Sequence, residues 1–144
     1  WLAYTGGETD SIHLHTYIDV PDHWHDQLVA DRWVKIRSLR SEIMVALETA
    51  RNDGTIGGGL SAEVKLTASQ DTADLLNGID LASLVITSAA EIDIGDTANL
   101  QISVRRAEGG KCVRCWQVFA YLPAEDEQAI CSRCEAVLIS KSED

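Results

Sequence analysis

The sequence lacks any apolar run approaching the ~20 residues that a membrane-crossing helix needs, and no signal-like segment opens it. Neither a helical membrane protein nor an oxidising compartment is therefore expected. There is no low-complexity tract, and no internal repeat beyond one pair of short cysteine motifs. Catalytic signatures are missing as well: no Ser-His-Asp arrangement, nucleophile elbow or paired carboxylate set stands out. Gly57-Gly58-Gly59 is followed neither by the Lys-Ser/Thr of a phosphate loop nor by a helical pattern, so it carries no nucleotide-binding signal. No catalytic centre is expected in this chain.

Cations are scarce too. A formal net charge of −11 argues at first against a nucleic-acid partner. Their distribution changes that argument. Residues 1–31 hold six acidic groups and no Lys or Arg, and residues 54–104 hold seven against one. By contrast, residues 32–53 hold five basic against three acidic groups, and residues 105–134 hold five against four. Ten of the twelve Lys and Arg thus lie in two short segments. Screening over about 8 Å at physiological salt lets each act locally within an acidic molecule. For the first segment, a solvated face that happens to be basic is the alternative.

What the chain does have is a cysteine quartet. Cys112, Cys115, Cys131 and Cys134 form C-x2-C-x15-C-x2-C within 23 residues and are the only cysteines present. Two C-x2-C turns can aim four thiolates at one tetrahedral centre, which suits a single zinc ion. Two disulfides are the alternative, but paired C-x2-C motifs in an intracellular chain favour metal. A four-thiolate site leaves no position for water, so such a zinc is structural and not hydrolytic. Its binding can fold a module that has little core of its own.

With 144 residues the chain can bury one modest core, or a small core plus a metal-stapled module. It opens on Trp1 and not on Met, which gives the expectation of a piece of a longer protein. Residues 11–18 alternate as a short extended segment closed by Pro21. Trp33, Ile36, Leu39 or Arg40, Ile43, Leu47 and Ala50 recur at three- and four-residue steps, predicting a helix over 26–52 started by Asp26 or Asp31. Gly54 and Gly57-Gly58-Gly59 end it. Leu60, Val64 and Leu66 lie on one face of a strand over 60–68, and Ser69–Asn77 reads as a short helix. The apolar run Leu84-Val85-Ile86 predicts a buried second strand over 81–87. Ile92 and Ile94 mark a short segment, and Leu100, Ile102 and Val104 a further strand. The fold class is therefore α+β: a long helix, a small β-α-β-β unit and a C-terminal four-cysteine, zinc-ribbon-like module. Domain boundaries are expected at 1–56, 57–106 and 107–144.

The surroundings of the cysteines carry the candidate contacts. Arg114 and Arg133 precede the second cysteine of each knuckle, where they either offset the negative centre or present a fork to phosphate. Arg105, Arg106 and Lys111 extend the same basic edge. Trp116 either packs over the metal's apolar shell or offers a platform for a base. Phe119 and Tyr121 share that ambiguity. His13/His15 and His23/His25 form two His-x-His pairs, compatible with a second metal but lacking a carboxylate framework. Trp24 and Trp33 read as core or staple residues.

Gly-Gly-Lys-Cys-Val-Arg-Cys-Trp (109–116) and Ile-Cys-Ser-Arg-Cys (130–134) resemble the C-terminal zinc module of bacterial-type isoleucyl-tRNA synthetases. Upstream, Ser-Ile-His-Leu (11–14) resembles that family's equivalent extended segment, and Arg32-Trp33, Leu39-Arg40, Ala46-Leu47-Glu48, Ala50-Arg51, Ile56-Gly57 and Leu60 resemble the end of its anticodon-binding helical region. The chain departs from the pattern at Val113, where proline is usual, and at Gly59, where serine is usual. The resemblance implies a parent that joins isoleucine to its tRNA with ATP, acting in the cytoplasm as a monomer. It implies that this piece holds one structural Zn2+, orients tRNA, and contacts it through Arg105, Arg106, Lys111, Arg114, Trp116 and Arg133. ATP would bind elsewhere, since His-Ile-Gly-His and Lys-Met-Ser-Lys-Ser are absent from these residues. A structural cap or protein-interaction module, and the terminal finger of a formamidopyrimidine-type DNA glycosylase, are the alternatives.

Overall fold

The computed structural model describes His13, residues 19–97 and residues 99–140. The extended segment expected over 11–18 lies outside the described residues, His13 apart. The chain divides into two compact units, Trp1–Asp31 and Arg32–Asp144. Among the described residues of the first, Pro21 leads into a single 3-10 turn, Asp22–Trp24.

A 26-residue helix, α1 (Gln27–Asn52), follows. It starts where the aspartate spacing placed it, because Asp26 Oδ1 accepts the backbone N–H groups of Leu28 and Val29 at 2.9 and 3.1 Å. It buries Ile36, Leu39, Ile43 and Leu47 and ends at Gly54, whose φ of +75° suits glycine. Trp24 and Trp33, expected as core or staple residues, are instead 65% and 40% exposed. The apolar stripe of α1 that enters the core begins only at Ile36.

That stripe covers a three-stranded sheet of order β2-β1-β3, formed by β1 (Ala62–Ala68), β2 (Ala89–Ile94) and β3 (Gln101–Arg106). The central strand alternates cleanly: Ala62, Val64, Leu66 and Ala68 are buried, whereas Lys65 is exposed. β1 runs parallel to β2, pairing Leu66 with Ile92, and antiparallel to β3, pairing Leu66 with Ile102. On the opposite face Lys65 meets Asp93 at 2.8 Å and Glu63 meets Arg105 at 2.7 Å.

The connection from β1 to β2 corrects the expected strand over 81–87. It holds two short helices, α2 (Gln70–Leu75) and α3 (Leu81–Val85), and the second parallel strand is the segment marked by Ile92 and Ile94. Asp80 caps α3 by accepting the Ser83 N–H at 3.2 Å and its hydroxyl at 2.6 Å, and Leu81 and Val85 then share one buried face. Ile86 ends the helix in the left-handed region, at φ 59°, which no strand residue adopts. The apolar run Leu84-Val85-Ile86 is thus a helix end and not a two-face strand.

Two arginines of α1 tie these helices down. Arg32 donates to the Leu75 carbonyl at 2.9 and 3.1 Å and to that of Asn77 at 2.6 Å, and Arg40 donates to the Leu84 carbonyl at 2.8 Å. Both meet carbonyls that helix ends leave without a partner. Three of the five cations in segment 32–53 are thus engaged within the chain, since Arg51 also pairs, on the surface, with Glu48 at 2.6 Å.

Candidate metal centre

After β3 the chain crosses Ala107–Gly109 into a second, two-stranded sheet, β4 (Gly110–Lys111) and β5 (Val118–Phe119). Gly109 has φ +113°, and a Cβ there would collide with the Phe119 carbonyl across the hairpin. Only glycine lets the two backbones approach this closely. The first knuckle sits at the hairpin's tip. The Cys112 N–H donates to the Gln117 carbonyl and the Trp116 N–H to the Cys112 carbonyl, both at 2.9 Å. The second knuckle is the entry to helix α4 (Ser132–Ser140), with Cys131 just before it and Cys134 in its first turn. The Val113 N–H donates to the Ala129 carbonyl at 3.0 Å and joins the two knuckles.

The four sulfurs converge. All lie within 4.8 Å of one another, and Cys115 Sγ and Cys131 Sγ are 3.8 Å apart. With Zn–S bonds of about 2.3 Å, a tetrahedral thiolate cage needs sulfurs about 3.8 Å apart. The donor set therefore fits one tetrahedral, thiophilic ion. All four cysteines are free thiols. Cys112, Cys131 and Cys134 are buried and Cys115 is half-buried, with Phe119, Leu122 and Ile130 packed around them.

Electrostatics within the quartet are uneven. Burial pushes the Cys112 thiol up, but backbone N–H groups of Cys115, Cys131 and Arg114 turned toward it prevail and hold it at about 6. Burial pushes Cys115 up to about 12, and Cys134 also rises through burial. Arg114 pulls the Cys134 thiol weakly in the opposite direction, as a charge-offsetting residue should. With the Cys115 and Cys134 thiols pushed up, a divalent ion held by all four sulfurs must displace protons from them.

The other singled-out residues fall into different settings. Arg105 is engaged by Glu63. Arg106, Lys111, Arg114 and Arg133 are exposed and have no carboxylate partner among the described residues. Trp116, at φ 67°, stands 60% exposed, with Lys111 Nζ 5.1 Å from its ring centre. The ring is therefore not among the side chains that shield the thiols. It borders a cleft of about 470 Å3 whose other wall is the Gly57–Ser61 loop. Arg133 faces a separate groove beside Ile86 and Thr87. Tyr121 accepts the Ser132 N–H at 3.3 Å, and so braces the second knuckle. His23 and His25 are exposed and join no metal-compatible cluster among the described residues, and His15 lies outside them.

Sequence reasoning missed Ser88 altogether. Its hydroxyl accepts the Val118 N–H at 2.7 Å and donates to the Leu60 carbonyl at 2.6 Å, linking hairpin to sheet. A lone serine before an acidic strand gives no periodic signal that would single it out.

No protein-family model matches the chain. Similarity over about nine-tenths of it leads instead to the aminoacyl-tRNA synthetases. Its homologues there are bacterial isoleucine–tRNA ligases. The Gluconobacter oxydans enzyme is 45% identical over 131 residues, covering 89% of this chain and 14% of that protein. The Zymomonas mobilis enzyme is 33% identical over 91% of the chain and 14% of its own length. The Thiobacillus denitrificans enzyme is 35% identical over 99% of the chain and 16% of its own length. The chain thus spans about one-seventh of the relatives it matches.

Proposed function

We propose that this chain is a tRNA-orienting segment of an isoleucine–tRNA ligase, built around one structural zinc. Zinc bound by Cys112, Cys115, Cys131 and Cys134 would hold two knuckles in one rigid unit. Arg106, Lys111, Arg114 and Arg133 would meet tRNA phosphates, with Trp116 stacking on a base, and Arg105 would add least because Glu63 already engages it. ATP and isoleucine would be handled elsewhere in a cytoplasmic, monomeric parent, to which residues 1–56 and 57–106 would join residues 107–144.

One observation carries this reading: three of the five cations of α1 are engaged within the chain, Arg32 and Arg40 as caps and Arg51 with Glu48, while Arg106, Lys111, Arg114 and Arg133 stay exposed and unpaired with carboxylates. In the full ligase, Arg106→Ala with Arg114→Ala should raise the tRNA KM roughly tenfold and flatten its salt dependence by about two phosphate contacts. Isoleucine-dependent pyrophosphate exchange should stay near normal. Lost exchange with unchanged tRNA dependence would overturn the reading.

The net charge of −11 favours a second reading, a zinc-stapled cap that packs against the rest of the enzyme. On that reading the same double variant leaves the tRNA KM and its salt slope unchanged.

A further inference from the structure

The cysteine hairpin meets the edge of the three-stranded sheet most tightly at one hydroxyl, that of Ser88. β4 and β5 pair with each other and do not extend the β2-β1-β3 sheet, so no ladder of backbone hydrogen bonds fixes the angle between them. Ser88, immediately before β2, supplies what a ladder would. Its Oγ donates to the Leu60 carbonyl at 2.6 Å and accepts the Val118 N–H at 2.7 Å. Its own N–H donates to the Ala62 carbonyl at 3.0 Å. Three segments, the approach to β1, the start of β2 and strand β5, therefore converge on one residue. Both short bonds use the hydroxyl fully, as donor and as acceptor.

The support on each side is firm. Thr87 is fully buried and donates to the Ala89 carbonyl at 3.1 Å, which fixes the turn that presents Ser88. A longer contact, from Gln117 Nε2 to the Thr87 carbonyl at 3.4 Å, runs beside the first. Gln117 in turn accepts the Cys112 N–H, so the junction is one hydrogen bond removed from the first metal ligand. Trp116 and Lys111 lie on the same hairpin.

We infer that Ser88 is a positioning residue: it sets the angle of the cysteine hairpin on the sheet, and hence where Lys111, Arg114 and Trp116 meet the tRNA. It touches neither the thiols nor the cleft beside Trp116. The inference rests on the tRNA-orienting reading proposed above. Removing the hydroxyl leaves a donor and an acceptor at the junction without partners, so the hairpin gains freedom while its own knuckle bonds persist.

Ser88→Ala and Ser88→Thr in the full, zinc-loaded ligase test it. Ser88→Ala should keep one zinc per chain and exchange amide hydrogens of the 117–121 segment about tenfold faster. The tRNA KM should rise roughly three- to tenfold, with kcat and pyrophosphate exchange nearly unchanged. Ser88→Thr keeps the hydroxyl and should restore both the protection and the KM. Unchanged exchange at 117–121 would refute the junction, whatever binds the RNA. Loss of zinc from Ser88→Ala would make Ser88 a support of the metal centre and overturn the positioning role. Faster exchange with an unchanged KM, alongside a raised KM in the Arg106/Arg114 double variant, would refute positioning while leaving the tRNA reading intact. An unchanged KM in both variants would sink the two together.

Discussion

The sheet unit and the cysteine module solve the same problem with different means. Around β1 a continuous core forms, with Leu39, Ile43, Leu47, Val64, Leu66 and Val85 all at or below 8% exposure. Burial at about 25 cal/mol per Å2 of apolar surface can offset the ordering of that segment. The module of residues 107–140 has no such supply. Its buried cluster is three cysteines, edged by half-buried Phe119, Leu122 and Ile130. Hydrophobic burial holds one region, and convergent thiols hold the other. The difference teaches where each region is fragile: the first to a lost methyl group, the second to a lost ligand.

Substitution of a ligand should break this contrast most sharply. Cys131→Ser should abolish tight zinc binding, because structural zinc sites contribute on the order of 10–16 kcal/mol to folding their own modules. Loss should appear as a zinc content near zero and rapid amide exchange over 110–139, while α1 and the three-stranded sheet keep their protection. A cooperative collapse of the sheet as well would show that the two regions are one folding unit.

Leu66→Ala probes the other side. Leu66 is fully buried at the centre of the sheet, so the change should cost about 2–5 kcal/mol in denaturant unfolding. Zinc content of the folded protein should stay at one per chain. A drop in zinc affinity comparable to that of Cys131→Ser would contradict the division of labour.

The smallest effect belongs to the cap that the sequence did not reveal as one. Asp80→Ala should destabilise the sheet unit by about 1 kcal/mol, the usual cost of an N-cap. The Ser83 hydroxyl, then the Ser83 N–H, hold the Asp80 carboxyl below its ordinary value of 3.8. A carboxyl lowered by folding contributes stability that is complete above the unfolded pKa and is lost as pH falls through the folded one. The gap between wild type and Asp80→Ala should therefore be constant near neutrality and shrink below pH 3.8, as followed by unfolding at successive pH values.

How much could be read from the sequence follows from the length of each periodic signal. Helix α1 offers about five turns of apolar spacing from Trp33 to Ala50, and β1 alternates over seven residues, so both stood out. The quartet stood out because its spacing is itself geometry. Residues 81–94 did not, for a physical reason. A run of three apolar residues fits a short helix and a strand equally well, and Asp80 with Ser83 tips the balance locally. β2, Ala-Ala-Glu-Ile-Asp-Ile, carries two carboxylates that are poor in strands. It is held through its register with β1, including the Lys65–Asp93 pair, which no local pattern reveals. Side-chain caps such as Arg32 and Arg40 join positions more than forty residues apart and look, in sequence, like an ordinary basic patch.

Those two arginines have a consequence for how the molecule meets salt. Their guanidiniums are tied to carbonyl groups, which gather no condensed ion cloud and give none up. The cations left to exchange partners with a polyanion stand mostly on residues 106–133. An ionic change in the medium would therefore be felt mainly around the cysteine module of this acidic chain, as a local effect and not as a property of its total charge.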